Sequence, residues 1–168
     1  MSSTSENPLS ALRPMTASEY AEWVEQSIIG YAADKVASGQ WTAEESLALS
    51  RKENAELLPL GLETAGNHLF TVVDSQAVAV GMLWFAVKKK FGADIAYVFD
   101  VGIHPERQRE GHAARAFLAL EDEVRRLGLS GIALHVFGHN DAARALYAKL
   151  GFRPTNISLF KPIEPTRA

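Results

Sequence analysis

An α/β domain built around one mixed sheet is the fold class this sequence predicts, and three observations carry it. Two segments of helical period come first, and β-forming runs follow from His68. From residue 93 onward the chain alternates strand, helix, strand, helix, strand. Short turns join antiparallel strands, whereas a connection through a helix returns the chain parallel, so the antiparallel part precedes a parallel crossover. At 168 residues, with 47% hydrophobic and 22% charged side chains, the chain suits one core. The folded unit is expected over 11–161, with 1–10 and 162–168 as flexible ends.

The elements follow in order. Thr16 before Ala17-Ser18-Glu19 reads as the N-cap of a helix carrying Tyr20, Trp23, Val24, Ile28 and Tyr31 at spacings of three and four. Thr42 with Glu45 three residues later forms a capping box for a second helix, which ends near Leu58 ahead of Pro59. Leu69, Phe70, Val72 and Val73 make a strand, Asp74-Ser75-Gln76 a turn, and 77–87 a long apolar strand with Trp84. Lys88-Lys89-Lys90 then reads as a solvated hairpin tip.

The next strand, 93–104, should place Tyr97, Phe99, Val101 and Ile103 on one face and Val98, Asp100 and Gly102 on the other. Ala113, Ala116, Phe117, Leu120, Val124 and Leu127 fall at helical spacing, and Gly128 closes that helix. A strand over 132–137, a helix from the cap Asn140 through Leu150 and Gly151, and a strand or broken pair of strands over 152–161 complete the chain.

Composition excludes several functions. A net charge of −3 gives no broad positive field for nucleic acid, and the absence of cysteine removes disulfides, a thiol nucleophile and soft-ligand zinc sites. His135 and His139 are too far apart along a strand to share an ion, so no metal is expected. No stretch reaches the ~20 apolar residues of a membrane span. A cytoplasmic protein is the expectation.

The segment Ile103-His104-Pro105-Glu106-Arg107-Gln108-Arg109-Glu110-Gly111-His112-Ala113-Ala114 joins a strand to a helix. A helix N-terminus offers free N–H groups and partial positive charge, which suits a diphosphate when no bulky side chain blocks it. Gly111 and Ala113 give that clearance. The glycine patterns of dinucleotide folds and of nucleotide hydrolases are absent from the chain.

Gln108, Gly111 and Ala113 match, in order, the Gln/Arg-x-x-Gly-x-Gly/Ala motif of the GNAT superfamily of acetyl-CoA-dependent N-acetyltransferases. The segment Asn140-Asp141-Ala142-Ala143-Arg144-Ala145-Leu146-Tyr147-Ala148-Lys149-Leu150-Gly151-Phe152 matches the family's Asn-x-x-Ala-x-x-Leu-Tyr-x-x-x-Gly-Phe. Both lie in the right order, so over 95–152 the chain resembles that superfamily. The region around 25–70 looks similar to an uncharacterised bacterial branch of it. The resemblance implies a central, mostly antiparallel mixed sheet of six to seven strands flanked by about four helices. It also implies acetyl-CoA as co-substrate, with a small-molecule or peptide amine as acceptor.

Roles follow residue by residue from the same resemblance. Main-chain groups of Val101, Gly102 and Ile103 would pair with the pantetheine arm like an added strand. Gln108 and the amides of Arg109, Glu110, Gly111, His112 and Ala113 would hold the pyrophosphate, and Asn140 would contact the cofactor arm. The Tyr147 hydroxyl would face the thioester sulfur as proton donor. His135 stands where members similar to ribosomal-protein N-terminal acetyltransferases place the base, and Tyr97 would hold a relaying water. A lysine of pKa ~10.4 costs about 4.6 kcal/mol to deprotonate at pH 7, so a base near pKa 6.5 is useful. Acceptor choice is expected from the two N-terminal helices and the 59–68 loop. The alternative reading is a non-catalytic CoA-binding regulatory or interaction module, and either a monomer or a homodimer is compatible.

Overall fold

The computed structural model describes residues 10–166. Its elements are β1 (Ser10–Pro14), α1 (Ala17–Ala37), α2 (Ser46–Leu57), β2 (Asn67–Asp74), β3 (Ala79–Lys90), β4 (Ala93–Ile103), α3 (His112–Arg126), β5 (Ile132–Leu134) and α4 (Asp141–Lys149). The sheet runs in the order β1-β2-β3-β4-β5, antiparallel up to β4 and parallel between β4 and β5. Helices cover both faces. On one, Ala116, Phe117, Leu120 and Val124 of α3 pack against Val72, Leu83, Phe85, Ala96 and Val98. On the other, Tyr20 and Trp23 of α1 pack with Leu58, Leu69 and Trp84. Two-sided burial explains why β3 reads as a nearly continuous apolar run.

The Thr16 cap forms as a full capping box, and Glu19 does more than close it. Its carboxylate accepts from both guanidinium nitrogens of Arg13 at 2.6 and 2.9 Å and from the Thr71 hydroxyl at 2.7 Å. One side chain thereby ties α1 to β1 and β2, and the Arg13 charge holds its pKa well below the usual carboxylate range. The second helix starts at Ser46, one turn later than its capping pattern suggests, although Glu45 does reach back to the Thr42 amide at 3.2 Å. Buried Ser50 donates to the Ile28 carbonyl at 2.7 Å and joins α2 to α1.

Four expectations need correction. A strand, not a helix, comes first: β1 pairs with β2 from Ser10, which the sequence reading assigned to a flexible end. The remaining residues of that end, 1–9, lie outside those described. Five residues without alternation carry no local strand signal, and pairing to β2 decides their conformation. β5 stops at Leu134, leaving 135–137 out of the sheet. Residues 152–161 form no strand, so five strands are present among the described residues where six to seven were expected. Finally, Asp100 does not face away from Tyr97. The β3–β4 register shifts between Trp84 and Phe85, which pair with Asp100 and Val98, so Phe99 is an extra residue. Such a bulge reverses the alternation beyond it.

Candidate active site

The bulge shapes the site. β5 pairs with β4 only at Ala96, Tyr97 and Val98, while β4 continues to Ile103. The edge of β4 from Phe99 onward therefore borders a gap, with residues 135–137 on its far side. A cleft of about 1210 Å³ runs through this gap. Val101, Gly102 and Ile103 line it from β4, His135 from the chain after β5, Asn140 and Tyr147 from α4, and Trp23, Ser27 and Tyr31 from α1.

At one end the cleft reaches His104, Pro105 and Glu106, which lead into the turn before α3. Gly111 caps that helix with φ of 82°, and Arg109 is also left-handed at 65°. The amides of Arg109, Gly111 and Ala113 donate to no protein acceptor among the described residues. These are the groups an anion can take up. The side chains in the turn are occupied otherwise. The Gln108 amide donates to the Ile103 carbonyl at 3.0 Å. Glu110 pairs with Arg107 at 3.1 Å and His112 at 2.8 Å, which lowers its pKa, with His112 the larger cause. Arg107 also reaches Asp74 at 3.0 Å, anchoring the turn to the β2–β3 hairpin. His112 is 5% exposed, and its buried ring ties the turn together through Glu110 at 2.8 Å and Arg115 at 3.4 Å.

Gly102 has clearance of a particular kind. A Cβ there would meet nothing within 4 Å. The close approach belongs instead to Gly81 on β3, whose Cβ would strike the Gly102 carbonyl. Gly102 is thus open on the cleft side for a reason other than packing within the chain. Replacing it with Val should leave thermal stability unchanged, because Val suits a strand, while weakening CoA binding at least tenfold, about 1.4 kcal/mol. Calorimetric titration checks this, and unchanged affinity would remove Val101 to Ile103 from the binding path.

At the middle of the cleft, Asn140 caps α4, its side chain accepting from the Ala143 amide at 3.2 Å. Tyr147 sits two turns later and packs edge-on against Phe117 and Phe152, each at 5.6 Å. Burial raises the Tyr147 pKa, and the Asp100 charge adds to it. Across the cleft, burial also raises the Tyr97 pKa, and the Lys88 ammonium lies 4.9 Å from the Tyr97 ring centre. His135 meets Phe137 edge-on at 5.1 Å; partial burial, then the Lys35 charge, lowers its pKa below the ordinary 6.5.

Asp100 is the residue that sequence reasoning misplaced. Its carboxylate accepts from Trp23 Nε1 at 3.0 Å and Ser27 Oγ at 3.2 Å, and burial raises its pKa against those two donors. Only the unannounced bulge brings it to the Tyr97 side; a mismatch of one residue between the β3 and β4 apolar patterns was the available signal. His68 and Glu63 lie off this cleft, and His68 stacks on Phe85 at 4.7 Å. The far walls come from α1 and α2, whereas the 59–68 loop does not line it. Among the described residues, no three His, Asp or Glu side chains gather as a metal-binding group, and no helix is long and apolar enough to cross a membrane.

The acetyltransferase (GNAT) family model matches residues 31–152. This chain belongs to the GNAT family. The uncharacterized N-acetyltransferase YycN of Bacillus subtilis is 33% identical over 152 residues, 90% of this chain and 97% of YycN. The crystal structure of YycN superposes with a TM-score of 0.88, covering 92% of this chain and 99% of that one. The [ribosomal protein bS18]-alanine N-acetyltransferase of Escherichia coli is 36% identical over 64 residues, 38% of this chain and 43% of that protein. AAC(6')-Iy, solved with the bisubstrate analogue CoA-S-monomethyl-acetylneamine, shares the fold at a TM-score of 0.60 and 15% identity, covering 92% of this chain and 98% of its own.

Proposed function

We propose that the protein transfers the acetyl group of acetyl-CoA to a primary amine by direct attack in a ternary complex. The carrying observation is a cleft that runs from His104, Pro105 and Glu106, just ahead of the turn into α3, along the gap between β4 and β5 to Tyr147 and His135. That AAC(6')-Iy, of the same fold, was solved in complex with a CoA bisubstrate analogue is in keeping with acetyl-CoA as the co-substrate. The thioester supplies an activated acetyl group and a thiolate leaving group.

This chain's residues do the rest. The amides of Arg109, Glu110, Gly111, His112 and Ala113 hold the diphosphate, while Val101, Gly102, Ile103 and Asn140 border the arm. Gln108 fixes the end of β4 by its bond to Ile103. His135 accepts the proton of the incoming ammonium, directly or through a water held by Tyr97. Its lowered pKa keeps the ring neutral at pH 7, the state a base requires. Tyr147 donates a hydrogen bond toward the sulfur. Full transfer from a phenol of pKa ~10 to a thiolate of ~8.5 is already uphill by about 2 kcal/mol. Burial raises the phenol further, so stabilisation by hydrogen bonding is the larger part of its role.

The acceptor side favours a cation. Glu22, Asp34, Glu53 and Asp100 line the walls, with Lys35 as the α1 cation among them. A panel of primary amines with acetyl-CoA, read by release of free thiol, tests the proposal. At least one amine should turn over, and the rate should fall as pH drops through the His135 pKa, below 6.5. His135→Ala should lower the rate and remove that acidic limb. A limb that persists places the base elsewhere, and no thiol release with any amine favours the non-catalytic CoA-binding module. We assign this activity to one domain over 11–161, in a cytoplasmic protein acting without nucleic acid, membrane or metal.

A further inference from the structure

The Asp100 carboxylate has no counter-charge. It accepts from Trp23 Nε1, Ser27 Oγ and the Val101 amide, all neutral donors, and among the described residues no cation pairs with it. Taking a carboxylate out of water is costly, so charges held in such places are normally paired. Asp100 is half-buried against the cleft, and burial raises its pKa in spite of the three donors. A carboxylate offers about four acceptor positions, which leaves room for one donor more.

The surroundings are aromatic. Trp23 meets Trp84 edge-on at 5.6 Å, Trp84 stacks on Phe99 at 4.6 Å, and Phe99 meets Tyr97 edge-on at 5.1 Å. Four rings thus run unbroken along the cleft wall beside Asp100. Ring faces carry a negative potential that attracts ammonium groups. The chain's own lysines show that attraction at this wall. The Lys88 ammonium lies 4.6 Å from the Phe99 ring centre and 4.9 Å from that of Tyr97, and the Lys35 ammonium lies 5.4 Å from that of Tyr31, which lines the same cleft. Both are ammonium groups on unbranched alkyl arms.

We propose that Asp100 and the rings of Trp23, Phe99 and Tyr97 form a seat for the ammonium of the acceptor, which carries that group on an alkyl arm. The inference rests on the acetyl transfer proposed above and names the class of amine. An alkyl arm sets only methylene groups against the rings. The α-ammonium of a peptide brings an amide on the next carbon, and that amide would lose its hydrogen bonds to water there.

Calorimetric titration with choline and with its carbon isostere dimethylbutanol separates charge from shape, and choline should bind at least tenfold more tightly. Asp100→Asn keeps an oxygen for Trp23 and Ser27 while removing the charge. It should weaken choline at least tenfold, leave CoA affinity unchanged and leave the thermal midpoint no lower, whereas a residue that only braced α1 would show its loss in stability instead. Phe99→Leu keeps apolar volume without a ring. It should weaken choline several-fold, and it decides the matter if the Asn variant fails to fold. At pH 7 butylammonium should bind at least tenfold more tightly than alaninamide, which is also largely a cation there. Equal binding of choline and dimethylbutanol, or binding of neither, would overturn the seat. So would choline affinity unmoved by Asp100→Asn in a folded variant or by Phe99→Leu, and alaninamide binding as tightly as butylammonium would overturn the alkyl arm. Choline binding without thiol release from any amine leaves the seat standing and sinks the transfer, so the two readings fail separately.

Discussion

Tyr147→Phe should lower kcat about a hundredfold or more while leaving CoA affinity and thermal stability unchanged. The ring is held by edge contacts with Phe117 and Phe152, which Phe retains, so removing the oxygen subtracts only a donor inside the cleft. A positioned proton donor typically contributes 10²–10⁴-fold. Because burial raises this phenol, the group stays protonated through neutral pH, and the effect should hold across the whole pH range in which His135 is neutral. Steady-state kinetics beside calorimetric CoA titration separates the two terms. An unchanged kcat would leave Tyr147 as a packed aromatic, and a loss of CoA affinity equal to the loss in rate would move its role to binding.

Gly81→Val should destabilise the fold by about 3 kcal/mol, the upper part of the range for overpacking a core. Its Cβ would strike the Gly102 carbonyl and come within 3.0 Å of Ile103 Cα and 2.9 Å of Ile103 Cδ1. Main chain in a central strand pair cannot give way without breaking the β3–β4 ladder. A lower denaturant midpoint at unchanged slope would register the cost. Any folded fraction should also bind CoA less well, since relief of the clash pushes β4 into the gap. The same residue at position 102 is expected to do the reverse, leaving the fold intact and filling the cleft. Equal stability of both variants would mean that the tight register at the end of β4 is not what fixes the wall of the site.

The contrast between those glycines shows where local reading stops. Gly102 was legible as a place where a strand could be approached, but the partner pressing against it from behind, Gly81, is 21 positions earlier and meets it only through the hairpin. His135, Asn140 and Tyr147 could be placed on one groove because a cap and a helical repeat fix their relative positions locally. Asp100 could not, since one extra residue in β4 reverses every side chain beyond it, and that bulge reflects how β3 and β4 must match across a ladder rather than any residue in β4 alone.

The sequence by itself determined the helix caps at Thr16 and Asn140, the glycine stops at 128 and 151, the hairpin order and the two motifs. All of these depend on interactions within a few residues, which side-chain chemistry and backbone permissiveness fix directly. Tertiary structure alone decided that residues 10–14 would be a strand, that β5 would end after three residues, and that Asp100 would enter the cleft. It also left residues 155–161 without a sheet of their own. Each of these depends on hydrogen bonds to a distant strand, whose presence or absence no local pattern encodes.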